Sequence, residues 1–274
     1  MARAVVGIMS FAVLLGAVLG SAAIKSGALV AAVLLITVAG ISLVTNSGAE
    51  RRELEMQREL LSRYTNQLDK TRAGYRILEW KETVVIGDGG DAHTKLAIRL
   101  RPLGPDLLFV RMKFRCDWPQ PARYRRKVKI AVRNTHPDGT PGTTLHTSQS
   151  WPKDGVVAVV IHFHEAPPEN ADISFRVELD WPKRYRPLVE GSPDVFGLMF
   201  AQPVANAVYR VVLPRGHDVY LEPIGRLDEG FELEPGWDDD DRRTVTLTLT
   251  DPPPRHRAGA RLELKKGQRI APND

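Results

Sequence analysis

Three basic segments of the chain contain the side chains with the clearest potential for binding a ligand. In each segment, lysines or arginines alternate with apolar residues, so that a β-strand would place the cations on one face and the apolar side chains on the other. The cations of this pattern are Arg99, Arg101, Arg111, Lys113, Arg115, Lys127 and Lys129. Like charges that lie opposite each other in a sheet repel. Three neighbouring strands of this kind therefore predict a surface that binds an anionic ligand, either a nucleotide or an anionic lipid.

The charge of the chain is unevenly distributed, which leaves a second interpretation of the basic segments open. Residues 76–135 contain 14 Lys/Arg and 6 Asp/Glu, a net charge of +8, whereas residues 136–241 contain 8 and 19, a net charge of −11. The cationic face could therefore be a solvated surface beside the acidic half of the same protein.

A pair of histidines is a second candidate for chemistry in the sequence. His162 and His164 are two residues apart, so a strand would point both to one face, as in many metal sites on β-scaffolds. A third ligand would be His146 or Glu165. The alternative is that the histidines are rim residues at the end of an apolar strand. Cys116 lies on the apolar side of its segment, which predicts a buried thiol without a catalytic role.

Known catalytic and cofactor motifs are missing from the sequence. There is no Walker A loop, GxGxxG, GxSxG, HExxH or CxxC motif. We therefore expect a protein that is not an enzyme and has no cofactor, with a metal-dependent activity at His162 and His164 as a minor alternative.

The three basic segments and the histidine pair belong to a region that is predicted to consist of β-strands. From residue 74 to 266, short alternating segments are separated by Gly- and Pro-containing turns, and no helical pattern lies between them. This indicates an antiparallel sandwich or barrel, in either one or two β lobes. Segments 156–161 and 195–200 are apolar on both faces, which predicts central strands that are covered on both sides.

Two apolar runs precede the β region, at residues 4–24 and 28–44, and each has about the length that a transmembrane helix needs. Residues 1–48 are therefore predicted to form a transmembrane hairpin, with Gly16 and Gly20 available for close helix packing. Basic residues flank the outer ends of both runs, which places the β region in the cytoplasm at the cell inner membrane. The rival interpretation is a signal peptide cleaved after Ala23.

Residues 49–73 have the pattern of a charged amphipathic helix, with Leu54, Leu61 and Leu68 seven residues apart. This helix could form a coiled coil between protomers or lie on the β body as a single helix. Together with the hairpin it suggests a homo-oligomer. The tail at 267–274 is predicted to be disordered.

The predicted fold class is thus an N-terminal two-helix transmembrane hairpin, a short charged helix and an all-β body. The order of these elements resembles that of bacterial anti-phage effectors that bind a cyclic nucleotide through a β-barrel and damage the membrane; the resemblance covers architecture only. The predicted function is a membrane-anchored, non-enzymatic sensor, effector or binding module for an anionic ligand. The alternative is a structural membrane protein that recruits protein partners.

Overall fold

Strands make up most of the chain that the structure describes. The computed structural model describes residues 74–105, 107–136, 139–226 and 229–265. Within these ranges there are two helices of four residues each, α1 at Ala122–Arg125 and α2 at Arg186–Val189. The strands within the same ranges are β1 Tyr75–Ile86, β2 Ala92–Pro102, β3 Phe109–Arg115, β4 Lys129–Thr135, β5 Pro141–Thr144, β6 His146–Lys153, β7 Val156–His162, β8 Ile173–Trp181, β9 Asp194–Met199, β10 Val204–Val212, β11 Val219–Ile224, β12 Phe231–Trp237, β13 Arg243–Thr250 and β14 Arg257–Leu264.

These strands form three sheets. The large sheet has eight strands in the order β12-β13-β10-β1-β2-β8-β4-β5, and the two small sheets have the orders β11-β14-β9 and β3-β7-β6. Strands β1 and β10 pair in parallel, while the other pairs described in the structure are antiparallel. The large sheet is therefore mixed, whereas the sequence predicted antiparallel pairing. The parallel pair arises because β10 returns to β1 through a long crossover, which local sequence patterns do not reveal.

Strand β1 lies in the middle of the large sheet. Its side chains show why one face of this sheet is buried. Trp80, Val84 and Ile86 point into the protein at alternate positions. The register shifts between Ile77 and Glu79, as at a β-bulge, so that Ile77 and Trp80 both face the interior although they are three residues apart.

A single hydrophobic core is shared by all three sheets. Leu100 of β2 and Phe175 of β8 come from the large sheet, Ile161 of β7 and Leu262 of β14 come from the small sheets, and all four are fully buried. Each such side chain contributes about 1.5–3 kcal/mol through burial. Because the large sheet has one buried face, both small sheets must lie against that face.

The structure corrects the predicted fold class. A membrane span needs about 20 apolar residues in a helix. The described residues are mostly strands with only two short helices, and none of their helices is long and apolar enough to cross a membrane. The fold class led by a two-helix transmembrane hairpin is therefore wrong. The same finding contradicts the predicted localisation in the inner membrane. It also contradicts the description as a membrane protein with a transmembrane helix and a coiled coil.

Several predicted segments lie outside the described residues. They are the hairpin at residues 1–48, the charged helix at 49–73 and the tail at 267–274. The described residues all belong to one compact unit, residues 61–274.

Candidate ligand-binding slit

A cavity of about 470 Å³ lies between the large sheet and the two small sheets. We call this cavity the slit. Strands β1, β2 and β10 of the large sheet form its floor, with the side chains of Ile77, Trp80, Glu82, Ile98 and Tyr209. A volume of this size is in the range of small-molecule sites in proteins.

Each wall of the slit is the outermost strand of one of the small sheets. Residues 110–115 of β3 line one side, and residues 197–202, which include the end of β9, line the other. Among the described strands, β3 pairs only with β7 and β9 pairs only with β14. The floor of the slit is therefore a face of the large sheet, and its two walls are the outermost strands of the small sheets.

Arg184 holds one end of the slit together. It follows β8 directly in a tight turn, and it is only 6% exposed. Its Nε donates a hydrogen bond of 2.9 Å to the carbonyl oxygen of Arg115 at the end of β3. Its guanidinium carbon lies 5.2 Å from the ring centroid of Trp181 and 4.9 Å from that of Tyr185. These contacts join β3 to the large sheet and place a buried cation at the slit.

Glu82 is a buried carboxyl group on the floor. Trp80 donates a hydrogen bond from Nε1 to its Oε2 over 3.1 Å. Burial raises the pKa of Glu82 above its usual range, and the positive charge of Arg184 and the hydrogen bond from Trp80 offset this only in part. The floor therefore combines one strongly held cation with a carboxyl group that resists ionisation.

Aromatic side chains cover the rest of the interior. The rings of Tyr185 and Phe196 stack with centroids 4.7 Å apart, and the rings of Trp80 and Phe200 meet edge to face at 5.2 Å. Burial raises the pKa of Tyr185 and Tyr209, whose side chains share a hydrogen bond. Both phenols therefore stay neutral at physiological pH.

Asp194 at the start of β9 also has an altered acidity. Burial raises its pKa to about 6, although the backbone N–H of Val195 donates a 2.7 Å hydrogen bond to Oδ1, which favours the carboxylate. The negative charge of Asp117 raises the pKa further, and the positive charge of Arg184 lowers it. Asp194 therefore changes its charge within the physiological range of pH.

Positive charge predominates along the slit. Its acidic residues are Glu82, Asp117 and Asp194, against seven basic residues, an excess of four positive charges. The basic residues are Arg111, Lys113, Arg115, Lys153, Arg184, Arg255 and Arg257. Of these, Lys113, Arg115, Lys153, Arg255 and Arg257 are exposed and form what we call the rim. Asp117 lies between two rim arginines, 3.6 Å from Nη2 of Arg115 and 3.8 Å from Nη2 of Arg257.

Gln202 adds an unsatisfied acceptor to the wall. Its side chain lines the slit and is 7% exposed. Its amide oxygen Oε1 accepts no hydrogen bond from the part of the chain that the structure describes. Buried side-chain oxygens in proteins usually have a partner, so this atom suits a donor on a ligand.

The structure brings together three of the seven basic residues that the sequence singled out. Arg111, Lys113 and Arg115 all line the slit. Lys113 and Arg115 are exposed at the rim as expected, whereas Arg111 is buried. Binding by these residues remains a prediction.

The other four predicted residues lie away from the slit. In the large sheet β2 and β4 are separated by β8, and β3 belongs to a different sheet, so the three basic segments are not neighbours. Arg99 and Arg101 of β2 both pair with Asp172, at 3.9 and 2.7 Å. Lys129 of β4 is exposed opposite Asp180 of β8, and Lys127 is exposed in the turn before β4.

The predicted histidine pair is not formed as expected. His162 ends β7 and His164 lies in the loop beyond it, exposed. His162 instead lies opposite His146 of β6, with ring centroids 5.4 Å apart, and shares a 2.9 Å hydrogen bond with Oγ of Ser148. Burial lowers the pKa of His162, and the nearby His146 lowers it further. Among the described residues, no group of three His, Cys, Asp or Glu side chains could hold a metal ion.

Two residues of the slit were missed by the sequence analysis. Glu82 alternates with Trp80, Val84 and Ile86, and a carboxylate on the apolar side of a strand was a usable signal. Arg184 offered no such signal, because it lies in a turn where an arginine is normally exposed.

Comparisons with known proteins give only distant similarity. A candidate protease from Parabacteroides distasonis is 11% identical at a TM-score of 0.48, and the match covers 72% of this chain and 41% of that one. An M1 zinc metallopeptidase from Deinococcus radiodurans is 9% identical at a TM-score of 0.43, covering 70% and 43%. The yeast delta-COP-I μ-homology domain is 12% identical at a TM-score of 0.18, covering 73% and 76%.

This chain thus spans about two fifths of the length of those two peptidase chains. No family model matches the chain, and a comparison with curated proteins finds no match. Two of these distant neighbours are peptidases, but at this similarity they assign no activity to this chain.

Proposed function

We propose that this protein is a binding module whose slit holds an anionic ligand with an apolar or aromatic part. The observation that carries the proposal is the composition of one cavity. Its rim is cationic, its floor is apolar and aromatic, and the buried guanidinium of Arg184 lies at one end.

The charges of the slit favour an anion over a neutral ligand. An excess of four positive charges lines the cavity. Protonation of Glu82, favoured by its raised pKa, would increase this excess. Charges that line a cleft with apolar walls raise the local concentration of the opposite ion. Arginine also suits this role because its planar guanidinium can hold a carboxylate or a phosphate through two hydrogen bonds.

The floor favours a ligand that is more than a simple ion. Ile77, Trp80 and Ile98 offer apolar surface, and Trp80 and Phe200 offer aromatic edges and faces. A nucleotide base or an acyl chain would bury apolar area there at about 25 cal/mol per Å². Nucleotides and anionic lipids both meet this description.

Binding, rather than catalysis, is the role that we propose for the slit. Cys116 and His162, the thiol and the histidine that the sequence singled out for chemistry, do not line it. Burial also raises the pKa of the Cys116 thiol to about 11, which leaves little thiolate at neutral pH. Recruitment of a protein partner is the second candidate function, favoured by the strand edges that form the walls.

Isothermal titration calorimetry of the full chain with ATP and with oleate tests the proposal. We expect binding of at least one of them that weakens with salt, because exposed charges are screened within about 10 Å at 0.1 M. Lys153→Glu at the rim should weaken binding about two- to fivefold. Lys127→Glu is the matched control away from the slit, and it should have no effect.

A blocking variant locates the site. Ala201 is exposed and lines the slit, so Ala201→Trp should obstruct it. Ala122→Trp places the same side chain at an exposed position of α1 and should leave affinity unchanged. Binding that is equal in both Trp variants would place the ligand elsewhere and contradict the proposal.

A further inference from the structure

We infer that the ligand of the slit is an extended peptide, with alternating acidic and apolar side chains, that lies along the edge of β9 as an added strand. This inference rests on the proposed function, since it names the chemical class of the anionic ligand in the same slit. Three features support it: the strand edge that forms one wall, the contrast between the apolar floor and the cationic rim, and the unsatisfied Oε1 of Gln202.

The wall formed by β9 is a strand edge. Among the described strands β9 pairs with β14 alone, and its residues Gly197, Leu198 and Met199 line the slit together with residues 200–202 that follow it. Neighbouring strands lie about 4.8 Å apart and exchange backbone hydrogen bonds. Extended peptides commonly bind by adding a strand to an exposed edge of this kind.

The length of the slit suits a short peptide. Its floor extends along β1 from Tyr75 to Glu82. At about 3.3 Å per residue this distance is roughly 23 Å, which accommodates an extended peptide of about six or seven residues.

The apolar floor and the cationic rim of the slit together indicate which side chains the peptide should have. Successive side chains of a strand point to opposite sides. On the inner side they would meet the apolar floor at Ile77, Trp80 and Ile98. On the outer side they would pass the exposed rim cations, such as Lys153 and Arg255. Apolar residues alternating with aspartate or glutamate complement both sides.

Gln202 favours a peptide over a fatty acid. Its buried Oε1 accepts no hydrogen bond from the described residues, and the N–H groups of a peptide would supply a donor. An acyl chain carries no donor, so oleate would leave both Oε1 and the β9 edge without hydrogen bonds from the ligand. Leaving a buried polar atom unsatisfied is unfavourable for binding.

The test uses the full chain and three fluorescein-labelled six-residue peptides, with affinity measured by fluorescence anisotropy. The first peptide alternates glutamate and valine, the second has the same composition as a block of three glutamates followed by three valines, and the third alternates lysine and valine. We expect the alternating glutamate–valine peptide to bind at least about tenfold more tightly than the block peptide, because only the alternating order places valines against the floor and glutamates against the rim. The third should not bind, because of charge repulsion.

Variants of the slit locate the peptide. Gln202→Leu should weaken the alternating peptide about fivefold or more through the lost acceptor. Ala201→Trp should abolish binding, while Ala122→Trp should not change it. Thermal unfolding checks that each variant is folded; if Gln202→Leu is unfolded, Lys153→Glu takes its place, with Lys127→Glu as its control.

The outcomes separate the inference from the proposed function. Equal affinity for the alternating and the block peptide, or an unchanged affinity in Gln202→Leu, would overturn the inference. ATP or oleate binding in the slit without any peptide binding would overturn the inference and leave the proposed function standing. If no anion of any class binds, both are overturned.

Discussion

The Nε of Arg184 donates a hydrogen bond of 2.9 Å to the carbonyl oxygen of Arg115. This contact joins the turn after β8 in the large sheet to the end of β3 in a small sheet. It is made by a buried cation in the same cavity as the buried carboxyl group of Glu82. Arg184 therefore supports the wall of the slit and contributes to its charge.

The losses of stability from removing Arg184 and from removing its electrostatic partner Glu82 should not be additive. Arg184→Met should lower the free energy of unfolding by about 2–3 kcal/mol, because Glu82 then lacks the positive charge that offsets its burial. Glu82→Gln alone should cost less. In the double variant the loss should be at least ~1 kcal/mol smaller than the sum of the two single losses. Urea unfolding measures all three variants, and additivity within about 0.5 kcal/mol would refute the coupling.

The thiol of Cys116 should resist alkylation in the folded protein. It is buried, its Sγ donates a hydrogen bond to the carbonyl oxygen of Arg184, and burial raises its pKa to about 11. At pH 8 we expect iodoacetamide to react at least ~100-fold more slowly with the native chain than with the chain in urea, because the thiolate is the reactive form. Mass spectrometry follows the labelling. Equal rates in the two states would show that the thiol is accessible and ionised.

Asp194 should make stability depend on pH in a defined direction. Its pKa is raised by burial to about 6 in the folded state, from 3.8. The folded state therefore binds the proton more tightly, so the stabilisation is complete below pH 4 and is lost as pH rises through 6. Asp194→Asn lacks this titration and retains an oxygen for the Val195 N–H. Its free energy of unfolding should increase relative to that of the native chain by roughly 2–3 kcal/mol between pH 4 and pH 7. A difference that stays constant over this range would show that Asp194 does not titrate abnormally.

Asp117 should limit the affinity of the slit for anions. It lies within 3.8 Å of the side-chain nitrogens of Arg115 and Arg257, so its charge offsets theirs. Asp117→Asn should raise the affinity for the anionic ligand about two- to fivefold at low salt, with the gain decreasing as salt is added. Asp180→Asn, which removes an exposed carboxylate away from the slit, should have no effect on affinity. A lower affinity in Asp117→Asn would mean that Asp117 binds the ligand itself.

Local alternation in the sequence predicted strands well but not their order. The pattern of Val110, Met112 and Phe114 against Lys113 and Arg115 indicated a strand with an apolar and a cationic side, and β3 has these sides. The sequence could not show that β8 would separate β2 from β4, because strand order depends on contacts between distant residues. Local alternation therefore predicts one surface for the seven cations, although only three of them line the slit.

The slit itself was beyond prediction from local patterns. Segment 156–161 is the buried central strand β7, as its apolar pattern predicted, but segment 195–200 with a similar pattern belongs largely to β9, which ends its sheet. A gap between two strand edges depends on which strands fail to pair, and composition carries no signal for this. Arg111 was expected on an exposed face and is instead buried beside the gap.

Hydrogen–deuterium exchange of the full chain, with and without a saturating anionic ligand, shows directly whether the slit is the binding site. We expect slower exchange of backbone amides at 109–115 and 194–202, the two walls of the slit, and we expect Ala201→Trp to remove this protection. Protection of β2 and β4 around Arg99, Arg101, Lys127 and Lys129, with the slit unchanged, would show that the anion binds elsewhere and would contradict the proposed function. So would a complete absence of protection with every anion tested.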